Sequence, residues 1–345
     1  MKKFLVFLLI FLISLFLVAC NQEEQETAND SSKKEETASE TKSNETVYPL
    51  EVKIYDQDGN EYVQTFEKAP ERVITNNPSS TEMLLELGLK DKIVGILEPD
   101  NKITGKYAED FASLHSLGDK MKVSREVIVG QEPDIVVGRS MMFTDERLGT
   151  IQTLNDLGIN VYTQTASHIK LNPKLTAVID DVRTLGKIFN VNDRAEEYAT
   201  ELENRYQKIV DKVNNMKSDK KLTAITMVRF DSKTGTFSVF NSSEGLQRDL
   251  LDTLNLVPAV EGSVGDLTYE SLISMNPDVI IYIKADRNAE FDKNAIETLY
   301  SEPLIQNVSA IKEKRIYETT YDDFMDYGTR IFDTLEMLAN EIYGK

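Results

Sequence analysis

The chain has no tryptophan, two histidines and one cysteine in 345 residues, and its 39 basic residues face 58 acidic ones, a formal net charge of −19. With a single cysteine, the folded part has no disulfide, no cysteine-based zinc cluster and no cysteine nucleophile. His115 and His168, with no histidine-rich tract near either, are too few to converge with acidic ligands on a bare zinc or manganese ion. The shortage of positive charge argues against nucleic acid and against electrostatic adhesion to anionic lipid. G-x-S-x-G, Walker and G-x-G-x-x-G motifs are also missing, which removes the common sequence signatures of serine hydrolases and of nucleotide binding.

What is present begins with a leader. Residues 1–20, "MKKFLVFLLIFLISLFLVAC", carry two lysines, an apolar run and small residues before a cut site, the pattern of a secretory signal. The run is shorter than the roughly 20 apolar residues that span a bilayer. "LVAC" resembles the bacterial lipobox, which implies cleavage after residue 19 and lipidation of Cys20. Residues 21–47 hold eight acidic and three basic residues and almost nothing to bury, so 20–47 is expected to be a lipidated cysteine followed by a disordered acidic tether. Attachment to the membrane is then through the acyl anchor alone, and multiple acylation is needed for stable anchoring.

The remaining 298 residues exceed what one hydrophobic core usually spans. They carry a duplicated plan. "EVIVGQEPDIVV" (126–137) and "ESLISMNPDVII" (270–281) each show a helix ending, Pro-Asp, and a continuous Val/Ile run. Such a run reads as a strand buried on both faces, as in parallel sheets between helices. Upstream, "RVITNN" (72–77), "TEMLLELGL" (81–89) and "KIVGI" (92–96) alternate strand, helix, strand; "KLTAITMVRF" (221–230) and "EGLQRDLLDTLNL" (244–256) give strand and helix in the second half. The halves close with "TLNDLGINVYTQ" (153–164) and "SAIKEKRIYETT" (309–320). The alternation predicts α/β lobes with mainly parallel sheets at 48–173 and 219–345.

Between them, residues 174–218 read as linking helices. Apolar positions Leu175, Val178, Ile179, Val182, Leu185, Ile188 and Phe189 mark one amphipathic helix. A second has its stripe at Ala195, Tyr198, Ala199, Leu202, Tyr206, Ile209, Val210 and Val213, with Asp193 expected as its cap. From Asp193 to Met216 it makes a rod of roughly 35 Å, a stiff spine that predicts small-angle motion between the lobes.

The stretches "RVITNNPSSTEMLLELGL", "SREVIVGQEPDIVVG", "LGINVY", "YESLISMNPDVIIYI" and "GTRIFDTLEMLANEIY", in that order and spacing, resemble the substrate-binding lipoproteins of ATP-binding-cassette importers, in the branch for ferric siderophores, haem and cobalamin. The resemblance implies two Rossmann-like lobes joined by a single long α-helix, with ligand held in the cleft between them. It also implies a permease and its ATPase as partners, a small chelate ligand, no resident cofactor or metal, no nucleic acid and a monomeric chain. A glutamate at the tip of each lobe pairs with permease arginines in this family, and those positions fall on Glu82 and Glu244. Each also has a local explanation. Ser79 and Glu82 have capping-box spacing, and Asn241 stands three residues before Glu244. A first-turn carboxylate is favoured by the helix dipole, so capping and docking are compatible roles.

Ligands of open α/β sheets sit beyond the carboxyl ends of strands. That nominates Asn76, Asn77, Arg139, Ser140 and Met141 in the first lobe, and Arg229, Phe230, Lys284, Arg287, Tyr321, Asp322 and Phe324 in the second. Arg139 and Arg229 are expected to face each other, two rigid forks of donors suited to carboxylates and other anionic oxygens. Tyr321 and Phe324 are candidates for stacking on an aromatic or macrocyclic ligand; a histidine or Met141 is a candidate axial ligand for haem. The expected function is extracytoplasmic capture of a ferric siderophore or related chelate for delivery to a permease. Haem or corrinoid binding by the same mechanism is the alternative, and a cell-surface enzyme or sensor on this scaffold is a more distant one.

Overall fold

A computed structural model describes residues 44–344. The expected leader, Cys20 and the tether up to residue 43 lie outside them. The last four residues assigned to the disordered tether do not behave as one. Asn44 Nδ2 donates to Asp193 Oδ1 at 2.9 Å, the Thr46 amide to Asn190 Oδ1 at 2.7 Å, and Asn192 Nδ2 to the Asn44 carbonyl at 2.6 Å. The chain is therefore fastened to the linking helices before residue 48.

An unexpected hairpin follows: β1 (Leu50–Tyr55) and β2 (Glu61–Phe66) pair antiparallel around a turn with Gly59 at φ +83°. Ile54, Gln64 and Phe66 point inward, whereas Glu51, Lys53 and Val63 are exposed, the period-2 alternation of a sheet covered on one face.

The first lobe continues with β3 (Val73–Thr75), α1 (Pro78–Glu86), β4 (Ile93–Ile96), α2 (Ala108–Ser113), α3 (Arg125–Val129), β5 (Ile135–Gly138), α4 (Ile151–Asp156) and β6 (Asn160–Thr163). Its strands lie in the order β4-β3-β5-β6, all parallel. β3 and β5 are wholly buried, which is why they read as unbroken apolar runs.

The linking helices are α5 (Thr176–Ile188) and α6 (Asn192–Met216). Of the predicted stripe of α6, Ala195, Tyr198, Ala199, Leu202, Ile209 and Val213 are buried. Its N-cap is Val191; Asp193 sits inside the first turn, where the dipole favours a carboxylate, rather than capping.

The second lobe comprises β7 (Leu222–Asp231), β8 (Thr236–Val239), α7 (Gly245–Thr253), β9 (Leu256–Pro258), β10 (Val264–Leu267), α8 (Tyr269–Met275), β11 (Val279–Lys284), α9 (Ala289–Asp292), α10 (Ala295–Ser301), α11 (Ser309–Lys312), β12 (Ile316–Thr320), α12 (Tyr321–Met325) and α13 (Arg330–Tyr343). Its sheet is mixed: β7, β11, β12 and β9 are parallel, whereas β8 and β10 extend one edge antiparallel.

The duplicated Pro-Asp has one physical job in both lobes. Asp134 accepts the amides of Glu71 and Arg72 at 2.7 and 3.0 Å, and Asp278 accepts the Thr223 amide at 3.0 Å. The carboxylates thereby tie the start of β5 to the start of β3, and the start of β11 to the start of β7. A continuous apolar core runs from the first lobe through α5 and α6 to α13 and one face of the second sheet; a separate cluster covers the other face. Lobe movement is restricted by a core that passes through the spine. No helix among the described residues is long and apolar enough to cross a membrane.

Candidate functional site

In the first sheet the chain leaves β3 toward β4 on one side and returns on the other side as β5. The crevice beyond the carboxyl ends of β3 and β5 is the topological switch point, where open α/β sheets place ligands. Asn76 and Asn77 follow β3 and Arg139 follows β5, so three of the predicted residues meet there. Asn76 braces the neighbouring loop: its Oδ1 accepts the Arg139 amide at 2.7 Å and its Nδ2 donates to the Arg139 carbonyl at 3.2 Å. A Cβ on Gly138 would lie 1.9 Å from that Oδ1, so only glycine lets the two loops close up. Ser140 is buried, its amide bound to Ser167 Oγ at 3.1 Å.

The second lobe lays Asp326, which follows α12, directly onto this crevice. Arg139 is 4% exposed and Asp326 2%. Arg139 Nη2 stands 2.5 Å from Asp326 Oδ1, the Ser79 amide donates to Oδ2 at 2.6 Å, and Asn77 Nδ2 reaches Oδ1 at 3.3 Å. Ser79 Oγ donates to the Asp326 carbonyl at 2.7 Å, and Asn77 Nδ2 also donates to Gln164 Oε1 at 3.0 Å. Burial, the largest single influence, works against the charge of Arg139, but Asp326 acting together with Tyr321, Tyr327 and Asp100 outweighs it and holds the guanidinium more firmly protonated than usual. Asp326, Ser79 and Gln164 were not nominated from sequence; their meeting depends on how the lobes face each other.

Nearer the rim, Asp322 is buried and accepts the Asn101 amide at 2.7 Å; burial, with the Asp326 charge next, pushes its carboxyl up to about 7. Arg287 reaches across the lobes to Asp100 at 2.5 Å, and Lys120 pairs with the same carboxylate. Tyr321 lies under both cations, 4.9 Å from the Arg287 guanidinium and 5.8 Å from Lys120, and meets Phe240 edge-on. A hollow of about 460 Å³ opens here, lined from both lobes by Pro99, Asn101, Lys102, Lys120, Asp286 and Arg287. Another, of about 340 Å³, lies by the spine among Lys106, Tyr107, Tyr198, Arg205, Asp323 and Arg330.

Several nominated residues are elsewhere. Arg229 does not face Arg139: it is exposed, has φ +51°, and lies over the Phe291 ring of its own lobe at 5.0 Å. It falls within β7, which continues to Asp231 to pair with β8. Phe230 and Phe324 are fully buried core residues and are not available for stacking. Lys284 pairs with Glu318 at 2.5 Å, and Met141 is 50% exposed. His115 is exposed, whereas His168 is buried against Tyr55 and bonded to Thr163 Oγ1 at 3.2 Å; burial lowers its pKa to about 4. Among the described residues no three His, Cys, Asp or Glu side chains cluster to hold a metal.

The two glutamates part company. Glu82, expected to face solvent, is fully buried, and its carboxylate accepts from Arg330 Nε at 2.9 Å and from Nη2. Burial pushes it up to about 7 against the pull of Arg330. No capping box forms: the N-cap of α1 is Asn77, not Ser79, because Pro78 occupies the first helical position. Glu244 is exposed and is itself the N-cap of α7, its carboxylate accepting from Asn241 Nδ2 at 2.8 Å.

The profile of the family described as "Periplasmic binding protein" matches residues 73–322. The uncharacterized ABC transporter substrate-binding lipoprotein YvrC of Bacillus subtilis strain 168 is 23% identical over 307 residues, 88% of this chain and 89% of that protein. A cobalamin-binding protein of Halobacterium salinarum is 23% identical over 295 residues, 84% and 74% of the two chains. The iron-uptake system-binding protein of Bacillus subtilis strain 168 is 24% identical over 334 residues, 95% and 94%. Among solved structures, a periplasmic binding protein from Veillonella parvula superposes with a TM-score of 0.72 at 21% identity, covering 87% of this chain and 93% of that one.

Proposed function

The chain belongs to the periplasmic binding protein family, and we propose that it is the extracytoplasmic solute-binding lipoprotein of an ABC importer for a ferric siderophore or related chelate. The observation that carries the reading is the closed polar contact between lobes at the switch point of the first sheet, where Arg139 and Asp326 meet. Arg139 and Asn77 supply donors from one lobe; Tyr321, Asp322 and Arg287 lie on the other side. Separation of the lobes uncovers these groups to a solute, and reclosure through the shared core of α5 and α6 holds it. The lipidated Cys20 keeps the protein at the outer face of the cytoplasmic membrane. An importer of this kind needs a permease and an ATPase, and the chain acts as a monomer without catalysis. Haem or a corrinoid is the second reading, favoured by the similarity to a cobalamin-binding protein.

Glu244 is presented for contact with a permease arginine. Glu82 enters such a contact only by exchanging Arg330 for an arginine of the partner. Uptake of radiolabelled ferric chelates, haem and cobalamin by cells with and without the gene tests the proposal. Loss of uptake of one of these without the gene is expected, and unchanged uptake of all of them overturns it. Glu244→Ala is expected to bind that solute normally and to transport it poorly; normal transport excludes the docking role.

A further inference from the structure

The donors gathered around Asp326 form a set of their own. The Ser79 amide, Asn77 Nδ2 and the Arg139 guanidinium all belong to the first lobe, whereas the carboxylate they surround comes from the second. They address both carboxylate oxygens: the Ser79 amide takes Oδ2, and Arg139 and Asn77 take Oδ1. The Ser79 amide also belongs to the first turn of the nine-residue helix α1, whose N-terminal end favours an anion. Asp326 does not satisfy the set. Arg139 Nη2 is buried and within ion-pair distance of Oδ1, yet it has no aligned hydrogen-bond acceptor. A planar guanidinium binds a carboxylate best through two aligned N–H bonds, which Asp326 does not offer.

We propose that Ser79, Asn77 and Arg139 are a carboxylate-recognition site, which Asp326 occupies here and which a carboxylate of the transported solute takes over on binding. The inference rests on the solute-binding reading above and narrows its ligand class to carboxylate-bearing solutes. When the lobes reclose on a ligand in place of Asp326, Arg139 is buried again, and an anion compensates its charge where a neutral ligand cannot. Asp326 is then an internal competitor. It lowers the fraction of protein ready to bind and raises the apparent Kd by that factor, while rejecting solutes without a matching anion. Two sources of carboxylate fit the same chemistry, a carboxylate-type ferric chelate and the propionates of haem.

The test is calorimetric titration of the purified chain with ferric citrate, haem and an uncharged ferric trihydroxamate. Asp326→Asn removes the competing charge and keeps an oxygen acceptor for the Ser79 amide. It is expected to tighten ferric citrate or haem, whichever the protein takes, at least tenfold and to leave the uncharged chelate unaffected. Arg139→Gln is expected to weaken the carboxylate ligand at least tenfold, and Arg139→Lys less. The double variant Arg139→Gln, Asp326→Asn buries no unpaired charge, so it should melt like the parent yet show none of the tightening. Binding that is unchanged in Asp326→Asn, or altered equally for charged and uncharged chelates, overturns the carboxylate site and leaves the transport reading intact. Failure of both ferric citrate and haem to bind overturns the carboxylate site, and binding of the trihydroxamate alone does so while leaving the transport reading intact.

Discussion

Arg330, the first residue of α13, donates to the fully buried carboxylate of Glu82 in α1 through Nε and Nη2, and pairs with Asp323 at 3.1 Å through Nη1. The start of the last helix is thus fastened to the first helix of the other lobe. Removing one partner leaves the other buried and uncompensated, which typically costs about 3–5 kcal/mol. Arg330→Gln is therefore expected to destabilise the protein by that order, and Glu82→Gln to do so less because Arg330 is less deeply buried and keeps Asp323 as a partner. The double variant should recover much of the loss. Urea denaturation of the four proteins checks this; equal stability of Arg330→Gln and the parent contradicts it.

Three buried carboxyls make stability pH-dependent. Burial raises Glu82 and Asp322 to about 7 and Asp181, beneath the Tyr162 hydroxyl, to about 6. Each binds its proton more tightly folded than unfolded, so its contribution is fully present below pH 4 and lost as pH rises through the folded value. Thermal stability should fall between pH 5 and pH 7.5, by several degrees on the scale of about 2–4 °C per kcal/mol for a chain somewhat smaller than this. Glu82→Gln should flatten the slope. A melting temperature that rises over this window contradicts the assignment.

Gly328 packs against Ser79 across the lobes: a Cβ there would lie 2.0 Å from the Ser79 Cβ. Gly328→Ala is expected to wedge the lobes apart without unfolding either. Small-angle scattering should show a larger radius of gyration with an unchanged circular dichroism spectrum. An unchanged radius would mean that the contact yields locally.

Much of this architecture was legible in the sequence because strands buried on both faces leave unbroken apolar runs, as in "DIVVG" and "DVIIYI". The hairpin of β1 and β2 was not picked out, although Asp58-Gly59 between alternating residues marks it. The antiparallel edge of β8 and β10 was also missed, being short and partly exposed. Asn76, Asn77 and Arg139 come together in one crevice, as the strand-end rule expects, because the first sheet is purely parallel. It misplaced Arg229 because β7 runs on to pair with an antiparallel neighbour. Asp326 and the burial of Glu82 follow from the orientation of one lobe on the other, which no local pattern encodes.

The most direct measurement is equilibrium titration of the purified protein, by calorimetry, with ferric hydroxamate, catecholate and carboxylate siderophores, haem and cobalamin. The account predicts that one of these classes binds saturably at one site per chain with a Kd of about micromolar or tighter, roughly −8 kcal/mol or better, and is released chemically unchanged. Failure of every class to bind, or recovery of a converted product, would contradict it.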